Sequence, residues 1–265
     1  MDESAMKRYD RQWLLDFFSL GAWAHQYTGV ALYQAAQRIP TDNTIAPTDR
    51  PRIQAALRAK ILGEVAASME TLGRLCWSIE HRAPNGIAAE FINMREDKAV
   101  PFYKEVVIPP ITVEGLLKRF NLPPLSTLTT IAVNEDVKEF LEQLSTALVR
   151  YASIYIDSDG TNSTNANLLR RSYNAVKHGS HVIANAPVLV EPSKIREDPH
   201  SIYIATHWPK RNEEMSEATL GMVTRSMKPK DVLDDLDVIR TIAVIMTNLC
   251  QLLIALIDQN MLAYG

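Results

Sequence analysis

Residues 165–181 read Asn-Ala-Asn-Leu-Leu-Arg-Arg-Ser-Tyr-Asn-Ala-Val-Lys-His-Gly-Ser-His. The segment predicts a short helix ending at Gly179, because glycine takes the left-handed conformation of a helix stop without a steric penalty. On such a helix Arg171, Asn174 and His178 stand at i, i+3 and i+7 and share one face. Arg170, Asn174, Lys177 and His181 make an adjoining stripe if the helix continues that far. No other stretch gathers as many donors, cations and titratable nitrogens, and apolar helical patterns flank it on both sides.

Working outward, residues 134–156 carry Val137, Phe140, Leu141, Leu144, Leu148, Tyr151 and Tyr155 at helical spacing. A Ser/Thr/Asn/Gly loop over 157–167 joins that helix to the segment above. Further upstream, Ile53, Leu57, Ile61, Val65, Met69, Leu72, Cys76 and Ile79 recur every three or four residues. Asp49 is their cap and Pro51 lies in the first turn. Residues 10–38 also read as helix, with no Asp, Glu, Lys or Arg between Phe17 and Gln37. A helix uncharged over that length is expected to be buried nearly all round, in a core or a subunit interface. The proline-punctuated stretch 83–124 reads as irregular, with a strand over 102–108 and a short helix over 112–120.

Beyond Gly179 the period changes. Residues 187–191, 201–208 and 218–226 are rich in Val, Ile, Tyr and Thr and read as strands. Pro229 and Asp231 open a terminal helix to about residue 262, with Asp234 and Asp235 also placed where a helix dipole favours anions. The fold class that follows is mainly α: a bundle of four or five main helices in a single domain over 1–265. A small β-hairpin or three-stranded insertion occupies about 187–226.

A net charge of −3 gives no global attraction to nucleic acid or to an anionic membrane, so either contact needs a local basic patch. Cys76 and Cys250 each sit in an apolar helical pattern and read as buried thiols, which suits a reducing cytoplasm. The most apolar run, 242–257, holds Thr247, Asn248 and Gln251, and reads as a core helix and not a membrane span. No cysteine or histidine spacing suits a metal, and no glycine-rich phosphate loop or GxSxG elbow is present, so no cofactor is expected. His25 reads as a core histidine, His81 as a solvated helix end, and the turn at 208–211 (Trp-Pro-Lys-Arg) as surface.

Two readings of the 165–181 segment stand side by side. Cations near a helix C-terminus followed by glycine are what the helix dipole favours, with no chemistry implied. Alternatively, Arg171 and His178, two turns apart, act on one phosphate. The guanidinium holds the anion, the imidazole moves a proton near neutrality, and Asn174 orients one or the other. Such a set can cleave RNA without metal by activating the ribose 2′-hydroxyl.

Arg171-Ser-Tyr-Asn-Ala-Val-Lys-His178, in a helical setting, resembles the motif of the HEPN superfamily, an Arg and a His separated by four to six residues. Here six residues lie between them, and Ser172 stands where many catalytic members carry Asn or Asp. The resemblance implies a helical bundle that commonly dimerises with two motifs facing across the interface. It implies a ribonuclease of toxin or defence type acting on RNA in the cytoplasm, with Arg171 and His178 catalytic. Asn174, Lys177, Arg170 and Tyr173 are then supporting residues. The uncharged first helix equally suits a non-catalytic module that dimerises or binds a protein partner.

Overall fold

The computed structural model of the protein describes residues 2–94, 99–131, 137–155, 182–184, 187–191, 194–197, 201–207, 221–226 and 228–264. It is a mainly helical bundle. The chain divides into two compact units, one of residues 1–24, 68–166 and 240–265, the other of 25–67 and 167–239. Two long helices, α3 (Arg50–Glu80) and α9 (Pro229–Asp258), contribute turns to both.

In the first unit, α1 (Glu3–Ser19) starts one residue after Asp2, whose carboxylate accepts from the Ala5 amide at 2.7 Å. The single helix expected over 10–38 is two helices. Leu20 leaves the α region, a 3₁₀ turn covers Gly21–Trp23, and α2 (Ala24–Arg38) follows. The Phe17 ring lies so close to Gly21 that a Cβ there would meet Cδ2 at 2.5 Å.

The expected strand over 102–108 is instead part of a helix, α5 (Ala99–Val107). Phe102, Tyr103, Val106 and Val107 are buried while Lys104 and Glu105 face out, a 3.6-residue period and not a two-residue one. The Tyr103 hydroxyl donates to the Met69 carbonyl of α3, fixing one helix on the other. The short helix expected over 112–120 is α6 (Val113–Arg119), capped by Thr112, and a further one, α4 (Ile87–Asn93), occupies residues expected to be irregular. Helix α7 (Leu125–Ile131) follows, and α8 (Val137–Tyr155) packs on α5, α6 and α7. The core holds Leu72, Leu75, Cys76 and Ile79 of α3, Leu141, Leu144 and Leu148 of α8, and Ile242, Met246, Leu249 and Leu253 of α9, all at most 1% exposed. By length and composition α9 could cross a membrane, with a mean hydropathy of 1.9 over its most apolar 18 residues, of which 56% lie buried inside the molecule.

In the second unit, α2 runs antiparallel to the first half of α3. Gln54 donates to the Ala36 carbonyl at 2.9 Å, and the His25 Nδ1 lies 2.8 Å from the Glu64 carboxylate near the other end of the pair. Burial of α2 on all sides is not found: Gly29 and Ala36 are buried, whereas Tyr27 is 55% exposed and Thr28, Ala31 and Gln34 face solvent. The backbone of this unit also holds strands β1 (Val182–Ala184), β2 (Pro187–Glu191), β3 (Lys194–Glu197), β4 (Ser201–His207) and β5 (Gly221–Ser226). The order β1-β4-β5 is antiparallel throughout, and β2 pairs with β3.

Candidate functional site

Arg170, Arg171, Tyr173, Asn174, Lys177 and His178 all lie outside the described residues, as does His181. The described part holds three polar constellations that the sequence did not announce.

The first is buried and centres on Asp10 and Arg82, at 1% and 3% exposure. Helix α4 begins after Gly86, which has no side chain with which to cap it. Asp10 of α1 supplies the cap from a distance, accepting from the amides of Ile87 at 2.7 Å and Ala88 at 2.9 Å. Gly86 sits at φ 96 against that carboxylate, and a Cβ there would meet Oδ1 at 3.0 Å, so the position requires glycine twice over.

Arg82 does the same for carbonyls. Its guanidinium donates to Ile79 in the last turn of α3 at 2.6 Å, to Phe120 and Asn121 at the end of α6 at 2.8 and 3.2 Å, and to Ala263 at 2.6 Å. A cation at two helix C-termini satisfies orphan carbonyls and favours both dipoles. Asn121, at φ 45, closes α6 in the left-handed conformation that exposes those carbonyls. Tyr264 packs beside this centre with its ring 6.0 Å from the Arg82 guanidinium. Burial pushes the Asp10 carboxyl above its usual range, opposed by the bonds from Ala88 and Ile87. Burial, with Asp10 alongside, likewise raises Tyr264. Enclosed in this way, the constellation ties the ends of α3, α4 and α6 to α1 and to the C-terminal residues.

The second is the His25–Glu64 pair, each side chain 24% exposed. His25 is hydrogen-bonded as a core histidine would be, but it is half-buried and a carboxylate orients its Nδ1. His81, on the exposed end of α3, stacks on Trp77 with ring centroids 4.3 Å apart, as a helix end would.

The third is an open cavity of about 520 Å³ along the first turns of α1, lined by Glu3, Ser4, Lys7, Arg8, Arg11, Ile257, Asp258 and Asn260. Lys7 pairs with Glu3 at 2.7 Å and donates to the Asn260 amide oxygen at 2.7 Å. Arg11 grips Asp258 through Nε at 2.5 Å and Nη2 at 3.1 Å. Asn260 is held at φ 56 just past the end of α9, which aims its side chain back at α1.

Cys76 and Cys250 are free and buried, as their sequence setting predicts. Burial raises both thiols, Cys250 to about 12, so neither is a nucleophile near neutral pH. Among the described residues no three His, Cys, Asp or Glu side chains gather to hold a metal ion. No family model, curated protein or solved structure matches the chain.

Proposed function

We propose that the protein is a HEPN-like, metal-independent endoribonuclease of toxin or defence type, working in the cytoplasm as a homodimer. The observation that carries this reading is the spacing Arg171-Ser-Tyr-Asn-Ala-Val-Lys-His178 in a mainly helical chain. Arg171 would hold the scissile phosphate and stabilise its developing charge. His178 would take the 2′-hydroxyl proton and return one to the leaving oxygen. Asn174, Lys177, Arg170 and Tyr173 would position the strand. In the same reading the strands over 187–226 are an insertion in one bundle domain.

The test is incubation of purified protein with mixed RNA in EDTA, beside an Arg171→Ala/His178→Ala variant. Cleavage by the parent alone, leaving 2′,3′-cyclic phosphate ends, is the expected result. Equal cleavage by both proteins, or dependence on added divalent metal, would remove the assignment.

One observation favours a second reading, a non-catalytic module that acts by dimerising or by binding a protein partner. Helix α2 presents Tyr27, 55% exposed, on a face without a single charge from residue 24 to 37. Burying such a face is favourable in proportion to its apolar area. On this reading Tyr27→Glu dissociates an assembly that sedimentation velocity detects in the parent, while Arg171→Ala leaves it intact. A parent that sediments as a monomer at every concentration and co-purifies with no partner would exclude it.

A further inference from the structure

The cavity on α1 sits outside the motif that carries the ribonuclease reading, and its chemistry points to an anion. Lys7, Arg8 and Arg11 enter it from one face of a helix, and only Glu3 and Asp258 oppose them, which leaves one net positive charge in a chain whose own net charge is −3. Arg8 is exposed and uses one hydrogen bond, from Nη1 to the Ser4 hydroxyl at 3.1 Å. Among the described residues its guanidinium has no carboxylate partner, and most of its fork of N–H donors is open to an incoming oxyanion.

The two carboxylates present orient the cations and do not close the cavity. The Glu3 side chain is 56% exposed and that of Asp258 45%, so water screens both carboxylates, and a phosphodiester oxygen can share Lys7, itself 15% exposed, with Glu3. Ser4 and the Asn260 amide add neutral hydrogen-bonding groups between the cations. A shallow open groove with spaced cations and neutral donors suits a phosphodiester strand running along it. It does not suit an enclosed small molecule, which needs concave and mostly apolar walls.

We infer that this groove binds the phosphate backbone of single-stranded RNA through Arg8 and Lys7, with Arg11 held in place by Asp258. The identity of the ligand rests on the ribonuclease reading; the anion chemistry does not. No base-specific contact is involved, so affinity depends on salt and little on sequence.

The test uses the full chain carrying Arg171→Ala/His178→Ala, so that RNA is not consumed, and a short labelled single-stranded RNA of mixed sequence. Anisotropy is followed across a range of salt concentrations in EDTA. Adding Lys7→Ala/Arg8→Ala is expected to weaken binding about tenfold at low salt. The slope of log affinity against log salt should flatten by about 1.4, two phosphate contacts on a single strand. An unchanged urea midpoint shows that the added substitutions leave the fold intact.

Unchanged affinity and slope would overturn the inference, as would a parent background that binds no RNA. Inorganic phosphate supplies the second arm. If it stabilises the parent but not the groove variant, while both bind RNA alike, the groove takes free phosphate and the RNA assignment is wrong. The two proposals fail separately: a parent that cuts no RNA yet binds it through Lys7 and Arg8 keeps this inference and loses the nuclease.

Discussion

Replacing Arg82 with methionine is expected to cost about 3–5 kcal/mol of folding stability, the range for breaking a buried charged network by removing one member. Methionine fills much of the same volume, so the loss is one of hydrogen bonds and charge and not of packing. Four carbonyls lose their donor at once: those of Ile79, Phe120, Asn121 and Ala263. Each orphaned group in a dry interior carries a desolvation cost of about 1–3 kcal/mol, only part of which relaxation recovers. Asp10 also loses the guanidinium that offsets its burial. Against a typical total of about 5–15 kcal/mol this is a large fraction, and the melting temperature should fall by roughly 6–20 °C. Urea unfolding checks it, with the midpoint lowered and the slope unchanged. Arg11→Met is the internal control: its pair with Asp258 is exposed at the surface, and its midpoint should barely move. Equal midpoints for the parent and the Arg82 variant would mean that the carbonyls find other donors and that Arg82 holds nothing together.

Much of the helical frame was legible because its signal is periodic. The stripes of α3, α8 and α9 repeat every three to four apolar residues over many turns, and tertiary context has little room to override them. Short elements were less readable. Val106 and Val107 of α5 and the Ile108 that follows look like a β-branched run, and Pro101 looks like a breaker. Yet proline is tolerated in a first helical turn, and the buried pairs Phe102/Tyr103 and Val106/Val107 have the spacing of one helix face. Helix α7 leaves little trace in the sequence because Ser126, Thr127, Thr129 and Thr130 have weak helix propensity, and only Leu128 and Ile131 anchor it in the core.

The uncharged stretch is ambiguous for another reason. Absence of charge implies a core or a subunit interface, and the first does not hold for α2, which offers solvent Tyr27, Thr28, Ala31 and Gln34, neutral residues that need no core. Asp10 and Arg82 lie 72 positions apart and meet only through the fold, so no local pattern could pair them. One sequence signal did exist: Gly86 precedes a helix that it cannot cap, which implies a cap from elsewhere. The 165–181 segment is the reverse case, since its reading rests on the sequence alone.

The largest effect expected of any substitution falls on that segment. If Arg171 and His178 act on one phosphate, Arg171→Ala and His178→Ala should each reduce RNA cleavage by about 10³-fold or more, and the double variant should be little worse than either single one. Removing a charge-stabilising donor costs about 10²–10³ in rate, and removing a general acid–base group about 10²–10⁴. Groups that work as a unit are strongly non-additive, because once one is lost the other has no transition state to act on. Independent roles, such as Arg171 in binding alone, would instead give losses that multiply. Lys177→Ala offers the contrast, since a supporting cation should raise the RNA concentration needed for half-maximal rate more than it lowers the maximal rate. The measurement is single-turnover cleavage of a labelled RNA in EDTA for the parent, the singles and the double, with urea midpoints to show that each is folded. Near-additive losses would separate the two residues mechanistically. Singles that cut like the parent would leave the segment as what its dipole-matched cations and terminal glycine also fit, an ordinary end to a helix.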